Sequence, residues 1–85
     1  MSTYQEAASK LQAAAESLGQ GAGHAMSGGA DLDSIAGRLA SVGHNSGAQE
    51  ATAVKSEVES YANQLQALVS QGNELASRIA ALGNG

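Results

Sequence analysis

The sequence contains no cysteine, proline, tryptophan or phenylalanine among its 85 residues. Without cysteine, a chain can form neither a disulfide framework nor a thiolate metal site. With two tyrosines as its only aromatic residues, it offers little material for an aromatic ligand pocket. A chain of this length buries only roughly 60% of the surface that it exposes when unfolded. We therefore expect it to depend on closely packed helices or on a partner for stability.

Basic residues are also scarce, with four Lys and Arg against eight Asp and Glu and a formal net charge of -4 at pH 7. Nucleic acids and anionic membranes bind clustered Lys and Arg, so we expect neither as a partner. No stretch approaches the roughly 18 apolar residues of a membrane span. The first ten residues lack the basic and apolar regions of a signal peptide. We expect a protein that is cytoplasmic or is exported without a cleaved signal peptide.

What the sequence does contain is a heptad pattern, which is clearest in the second half. Apolar and small residues recur there at alternating steps of four and three, which predicts one helix over about residues 48–82. Such a helix is roughly 50 Å long at 1.5 Å per residue, and Gly83-Asn84-Gly85 would end it. The predicted seam consists of Ala51, Val54, Val58, Tyr61, Leu65, Leu68, Gly72, Leu75, Ile79 and Leu82.

The first half keeps the same spacing on both sides of a glycine-rich segment, residues 19–29. Ser2 or Thr3 can cap a helix that starts there, with Gln5 or Glu6 at capping-box distance. The apolar positions are Tyr4, Ala7, Leu11, Ala14 and Leu18 before the segment and Leu32, Ile35, Leu39 and Val42 after it.

Two interpretations of the glycine-rich segment remain open, because each glycine costs a helix about 1 kcal/mol relative to alanine. In the first, one helix runs over about residues 3–42, and Gly21 and Gly28 lie in the seam so that the second helix can approach. In the second, Ser27 or Asp31 caps a new helix and the chain forms a three-helix bundle. We favour the first, because an arbitrary loop would keep the heptad phase only by chance.

The segment His44-Asn45-Ser46-Gly47 separates the halves, and its Asn and Gly tolerate positive φ. We expect the turn at residues 44–47, in a single all-α domain that forms an antiparallel helical hairpin. Folding about this turn would place Tyr61 and Leu65 opposite Gly28 and Ala25, with Gly72 near Leu18. Large side chains would then meet small ones across the seam.

Small residues next to the seam broaden the apolar stripe on both helices beyond what one partner helix covers. They are Ala8, Ala15, Ala22, Gly29 and Ala36, and then Ala62, Val69 and Ala76. The width predicts that two hairpins pair face to face as a homodimeric four-helix bundle. The predicted core and interface residues are Leu11, Leu18, Gly21, Ala25, Gly28, Leu32, Ile35, Leu39, Val54, Val58, Tyr61, Leu65, Leu68, Gly72, Leu75, Ile79 and Leu82.

No residue pattern indicates catalysis, and we predict no catalytic, cofactor-binding or metal-binding residue. His24 and His44 each stand alone, without a neighbouring ligand at metal-binding spacing. We expect His24 on the surface and His44 at the end of the first helix, where a cation suits the dipole. Asp31 and Asp33 suit the start of a helical segment. No serine lies in a Gly-x-Ser-x-Gly elbow, and no strand precedes the glycine-rich segment as in phosphate-binding loops.

A short, acidic, cysteine-free chain folded as a helical hairpin resembles the WXG100 or ESAT-6-like proteins in outline over its whole length. Two motifs of that family are missing. The turn region, Val42 to Gly47, contains no Trp-x-Gly, and Tyr61 lies within the second helix and is followed four residues later by Leu65, where the family's export signal has an acidic residue. The resemblance implies a dimeric four-helix bundle that is secreted without a cleaved signal.

These observations predict a non-catalytic helical protein that acts through self-association or by pairing with another helical protein. The more specific hypothesis is a substrate or partner of a secretion system that does not read a signal peptide. Two other functions remain open. One is a structural subunit of a filament or shell, and the other is a regulatory adaptor that binds a ligand or peptide in a groove of the bundle.

Overall fold

The computed structural model describes residues 3–84, which form two long helices, α1 (Thr3–Ser41) and α2 (Asn45–Asn84). They pack against each other as an antiparallel hairpin measuring 64 × 15 × 10 Å. The expected all-α hairpin is confirmed. The glycine-rich segment lies within α1, so the first interpretation of that segment describes the structure and the three-helix alternative does not. Ser2, one of the two expected caps, lies outside the described residues.

The turn lies earlier in the chain than expected, because Asn45, Ser46 and Gly47 already belong to α2. Gly43 has a φ of 80°. Its amide donates to the Ala40 carbonyl at 3.0 Å, and the His44 amide donates to the Leu39 carbonyl at 2.8 Å. These two bonds form a Schellman motif, in which a left-handed glycine lets the last carbonyls of a helix find donors. Gly43 therefore reverses the chain.

His44 caps the start of α2, where we expected it to complete the end of α1. Its Nδ1 accepts a hydrogen bond from the Gly47 amide at 3.0 Å, and its carbonyl accepts one from the Ala48 amide at 3.0 Å. In an N-cap, a side-chain acceptor binds the free backbone amide of the residue three positions later in the chain. A Cβ on Gly47 would lie 2.5 Å from the His44 Nδ1 and 2.8 Å from its Cε1, so the cap requires glycine there.

The seam between the two helices is made of alanine and glycine. Every buried residue in the described part of the chain is an alanine or a glycine, and no larger side chain there is fully buried. In α1 the buried residues recur every seven positions. The full set is Ala8, Ala15, Ala22, Gly29 and Ala36 in α1, and Ala51, Ala62 and Ala76 in α2.

Contacts across the seam give the alignment of the helices. A Cβ on Gly72 would lie 3.2 Å from the Ala15 Cβ, and one on Gly29 would lie 3.8 Å from a Val58 methyl. The helices therefore approach closely enough that an added methyl group touches the opposite helix. Larger aliphatic side chains are displaced to the two sides of the seam, where they are half-buried or exposed.

We predict that Ala62→Leu lowers the free energy of unfolding by about 1–3 kcal/mol, because Ala62 is fully buried and a larger side chain overpacks the seam. Urea denaturation at one fixed protein concentration measures this change. Ala67→Leu is the matched control, because Ala67 is exposed on the same helix. Equal stability of the two variants would contradict an alanine seam at Ala62.

Replacing the cap should also cost stability. His44→Ala removes the acceptor for the Gly47 amide and should lower the free energy of unfolding by about 1 kcal/mol, while His44→Asn restores most of it. His24→Ala is the control, because His24 is exposed in the middle of α1. If His44→Ala and His24→Ala behave alike in urea, the cap contributes nothing.

Candidate interaction face

One row of apolar side chains on each helix remains exposed, and the two rows together make what we call the apolar face. On α2 the row is Val54, Tyr61, Leu68, Leu75 and Leu82, with exposures between 38% for Leu75 and 65% for Leu82. On and just beyond α1 the row is Ala7, Ala14, Gly21, Gly28, Ile35 and Val42. Its members are exposed except for the half-buried Gly21 and Gly28, and Ile35 is 45% exposed. These rows run the length of the hairpin.

Both rows lie on the same side of the hairpin. In α1 each row member immediately precedes a buried residue, as Ala14 precedes Ala15, and in α2 Tyr61 precedes Ala62 in the same way. One residue is a rotation of about 100° around a helix axis. When two helices are antiparallel, the residues that precede the seam residues project to the same side of the plane that contains both helix axes. The exposed rows therefore form a continuous surface with the half-buried residues between them.

The predicted core and interface residues divide between two environments. Half-buried positions beside the seam are Leu11, Leu18, Gly21, Ala25, Gly28, Leu32, Leu39, Val58, Leu65, Gly72 and Ile79. Exposed positions are Ile35, Val54, Tyr61, Leu68, Leu75 and Leu82. The heptad pattern predicted the apolar set but placed the small residues of the observed seam beside the predicted one, because larger apolar residues dominate a hydrophobic pattern.

The two halves of the apolar face differ in side-chain size. Over most of its length the α1 row carries alanine or glycine, whereas the α2 row carries leucine and tyrosine. Within one hairpin, Tyr61 does not pack on Gly28 as expected. Tyr61 is 58% exposed, and a Cβ on Gly28 would meet nothing within 4 Å. The space above Gly28 is open.

The exposed area of the chain is large for its mass. Its accessible surface is 5857 Å², whereas a compact monomer of 8.4 kDa exposes about 4,600 Å². The excess of about 1,200 Å² exceeds the roughly 800 Å² that one partner contributes to a standard protein interface. The two rows of the apolar face contain no charged residue.

The opposite side of the hairpin is polar. There Lys55 Nζ lies 3.3 Å from an Asp33 carboxylate oxygen. This pair is partly exposed and contributes little to stability. An open groove of about 550 Å³ borders it and includes Gln49 and Thr52.

Within residues 3–84, no three side chains of His, Cys, Asp or Glu come together in a way that could hold a metal ion. Neither of the described helices contains a stretch that is long and apolar enough to cross a membrane. In the glycine-rich segment, Gly19 and Gly21 lie close to the side chains of Val69 and Leu65, whereas the space above Gly23 and Gly28 is open.

No protein-family model matches the chain, and no curated protein or solved structure matches it either. The resemblance to WXG100 proteins therefore stays a prediction from the outline of the hairpin.

Proposed function

We propose that this protein is a non-catalytic interaction and assembly protein that associates with a second copy of itself through the apolar face. The observation that carries the proposal is the distribution of side chains. Among the described residues, only alanine and glycine are buried, while nine large hydrophobic side chains are exposed and seven of these belong to the apolar face. Large contiguous apolar patches on a soluble protein mark interaction sites.

A second copy suits the face in shape and in chemistry. The apolar face is two helices wide, and an identical face laid on it completes a four-helix bundle, in which each helix touches two neighbours. The charged residues beside the rows, such as Lys10, Asp31, Arg38 and Glu57, would lie at the rim and stay in contact with water. No charged side chain has to be buried on association.

A helical protein of different sequence would satisfy the same chemistry, and the resemblance to WXG100 proteins adds the proposal of export without a cleaved signal. Both are secondary to self-association, because the shape and the area of the face support a second copy directly. A filament or shell subunit would need a second contact surface. The polar side around Lys55 and Asp33 has no apolar row of comparable length.

We expect the purified protein to have twice the 8.4 kDa mass of the chain in light scattering and to dissociate on dilution. The hairpin buries too little apolar surface alone, so the melting temperature should rise with protein concentration. A mass that stays at 8.4 kDa, with a concentration-independent melting temperature, would contradict self-association. Masses that grow without limit would favour the filament or shell.

The association should depend on the apolar face and not on the outer surface. Leu68→Gln combined with Leu75→Gln removes two exposed leucines of the α2 row and should raise the dissociation constant by at least about 100-fold. The control is Ala67→Gln with Ala81→Gln, which places the same side chains at exposed positions away from the face. Sedimentation of both double variants measures the change. Equal dissociation constants would show that the copies meet elsewhere.

A further inference from the structure

We propose, on the basis of the proposed self-association, that the two copies pair with their turns at the same end of the bundle. In this orientation α2 of each copy lies on α1 of the other. The large side chains of the α2 row then fill the space above the small residues of the α1 row. This pairing fixes the orientation, the alignment and the contacting residues of the dimer.

The alignment follows from contacts within one hairpin. Val58 lies beside Gly29, and Gly72 lies beside Ala15. Counting outward from the first pair places Tyr61 level with Met26, two residues from Gly28. Counting from the second places Leu68 level with Gly19, two residues from Gly21, and Leu75 level with Gln12, two residues from Ala14. A separation of two residues is about 3 Å along a helix.

The same small offset at every level means that no sliding is needed to match the rows. A rotation by half a turn about an axis parallel to the helices places α1 of the second copy over α2 of the first at the same height. Tyr61 then covers Gly28, and Leu68 covers Gly21. Leu75 and Leu82 cover Ala14 and Ala7 in the same way. Each of these four levels combines one large and one small side chain, which gives an even core, and Val54 meets Ile35 at the level nearest the turn.

The opposite orientation, with the turns at opposite ends, packs the same face less evenly. There α2 lies on α2, so that Tyr61 meets Leu68 of the other copy. The α1 rows then face each other, and Gly21 meets Gly28. One side of the bundle would hold only large side chains, and the other would leave unfilled space, which costs packing energy.

Charges at the rim do not decide between the orientations. With turns at the same end, Glu50 comes level with Arg38, which is favourable. Two like-charged pairs also come level, Lys10 with Arg78 and Asp31 with Glu57, which is unfavourable. These long side chains lie beside the rows and are exposed, so each pair contributes little. Side-chain volume in the rows decides the orientation.

A pair of glycines in α1 provides a matched test. A Cβ on Gly28 or on Gly37 would meet nothing within 4 Å in one hairpin, and Gly37 faces away from the apolar face. We expect Gly28→Leu to raise the dissociation constant at least about tenfold by blocking Tyr61 of the other copy, and Gly37→Leu to leave it unchanged. Tyr61→Ala added to Gly28→Leu should restore most of the affinity, because it vacates the space that leucine fills.

The opposite orientation predicts no such rescue, since Gly28 and Tyr61 would then lie on different sides of the bundle. Failure of the rescue in a protein that still dimerises would therefore overturn the proposed orientation without affecting the proposed function. A monomeric unmodified protein would overturn both. Sedimentation measures the dissociation constants of the unmodified protein, the two single glycine variants and the double variant. Circular dichroism confirms that each variant is helical.

A distance between two labels tests the orientation independently. The chain has no cysteine, so one introduced thiol can be labelled selectively. Ser46→Cys carries a spin label at an exposed position next to the turn. Turns at the same end place the two labels of a dimer within about 30 Å, and turns at opposite ends separate them by about 50 Å or more. Pulsed electron resonance separates these cases. The shorter distance is expected, and the longer one would overturn the orientation.

Discussion

The close approach of two helices along a strip of alanine and glycine determines the rest of this structure. Helix axes come nearest when the residues between them are small, and the interaxial distance grows with side-chain size. Here a methyl group added at Gly72 would lie 3.2 Å from the Ala15 Cβ, so even an alanine would crowd the opposite helix and a leucine would have to push the helices apart at that level. The aliphatic side chains that would fill the core of a wider bundle are therefore displaced to one side, where they form the apolar face.

This arrangement separates the residues that align the hairpin from those that can stabilise it most. Alanine buries little area, whereas a leucine or tyrosine contributes about 1.5–3 kcal/mol when it is fully removed from water. In this chain the larger side chains can reach full burial only in contact with another molecule. In the proposed dimer, folding and association are linked, and the stability of each copy depends on its concentration.

The sequence predicted the helical class, the two helices and their antiparallel arrangement, because the heptad spacing extends across almost the whole chain. It did not predict which rows form the seam. Ala62 and Tyr61 are neighbours, and a hydrophobic pattern favours Tyr61, although only Ala62 is small enough for the close approach. The position of the turn was missed for a similar reason. Gly43 and Gly47 both tolerate positive φ, and only the backbone bonds of Ala40, Leu39 and His44 show which glycine uses it.

Packing contacts explain some of the glycines of α1 and not others. A mid-helix glycine costs about 1 kcal/mol relative to alanine, so its presence calls for a compensating contact. Gly19 and Gly21 lie 3.7 and 3.8 Å from side chains of α2, measured from an added Cβ. Gly28 has no such neighbour within the hairpin but lies on the apolar face, level within one turn with Tyr61. Nothing in the structure explains Gly23 or Gly37, which lie off that face. The proposed dimer accounts for Gly28 as space for the largest side chain of the α2 row, and a single hairpin does not.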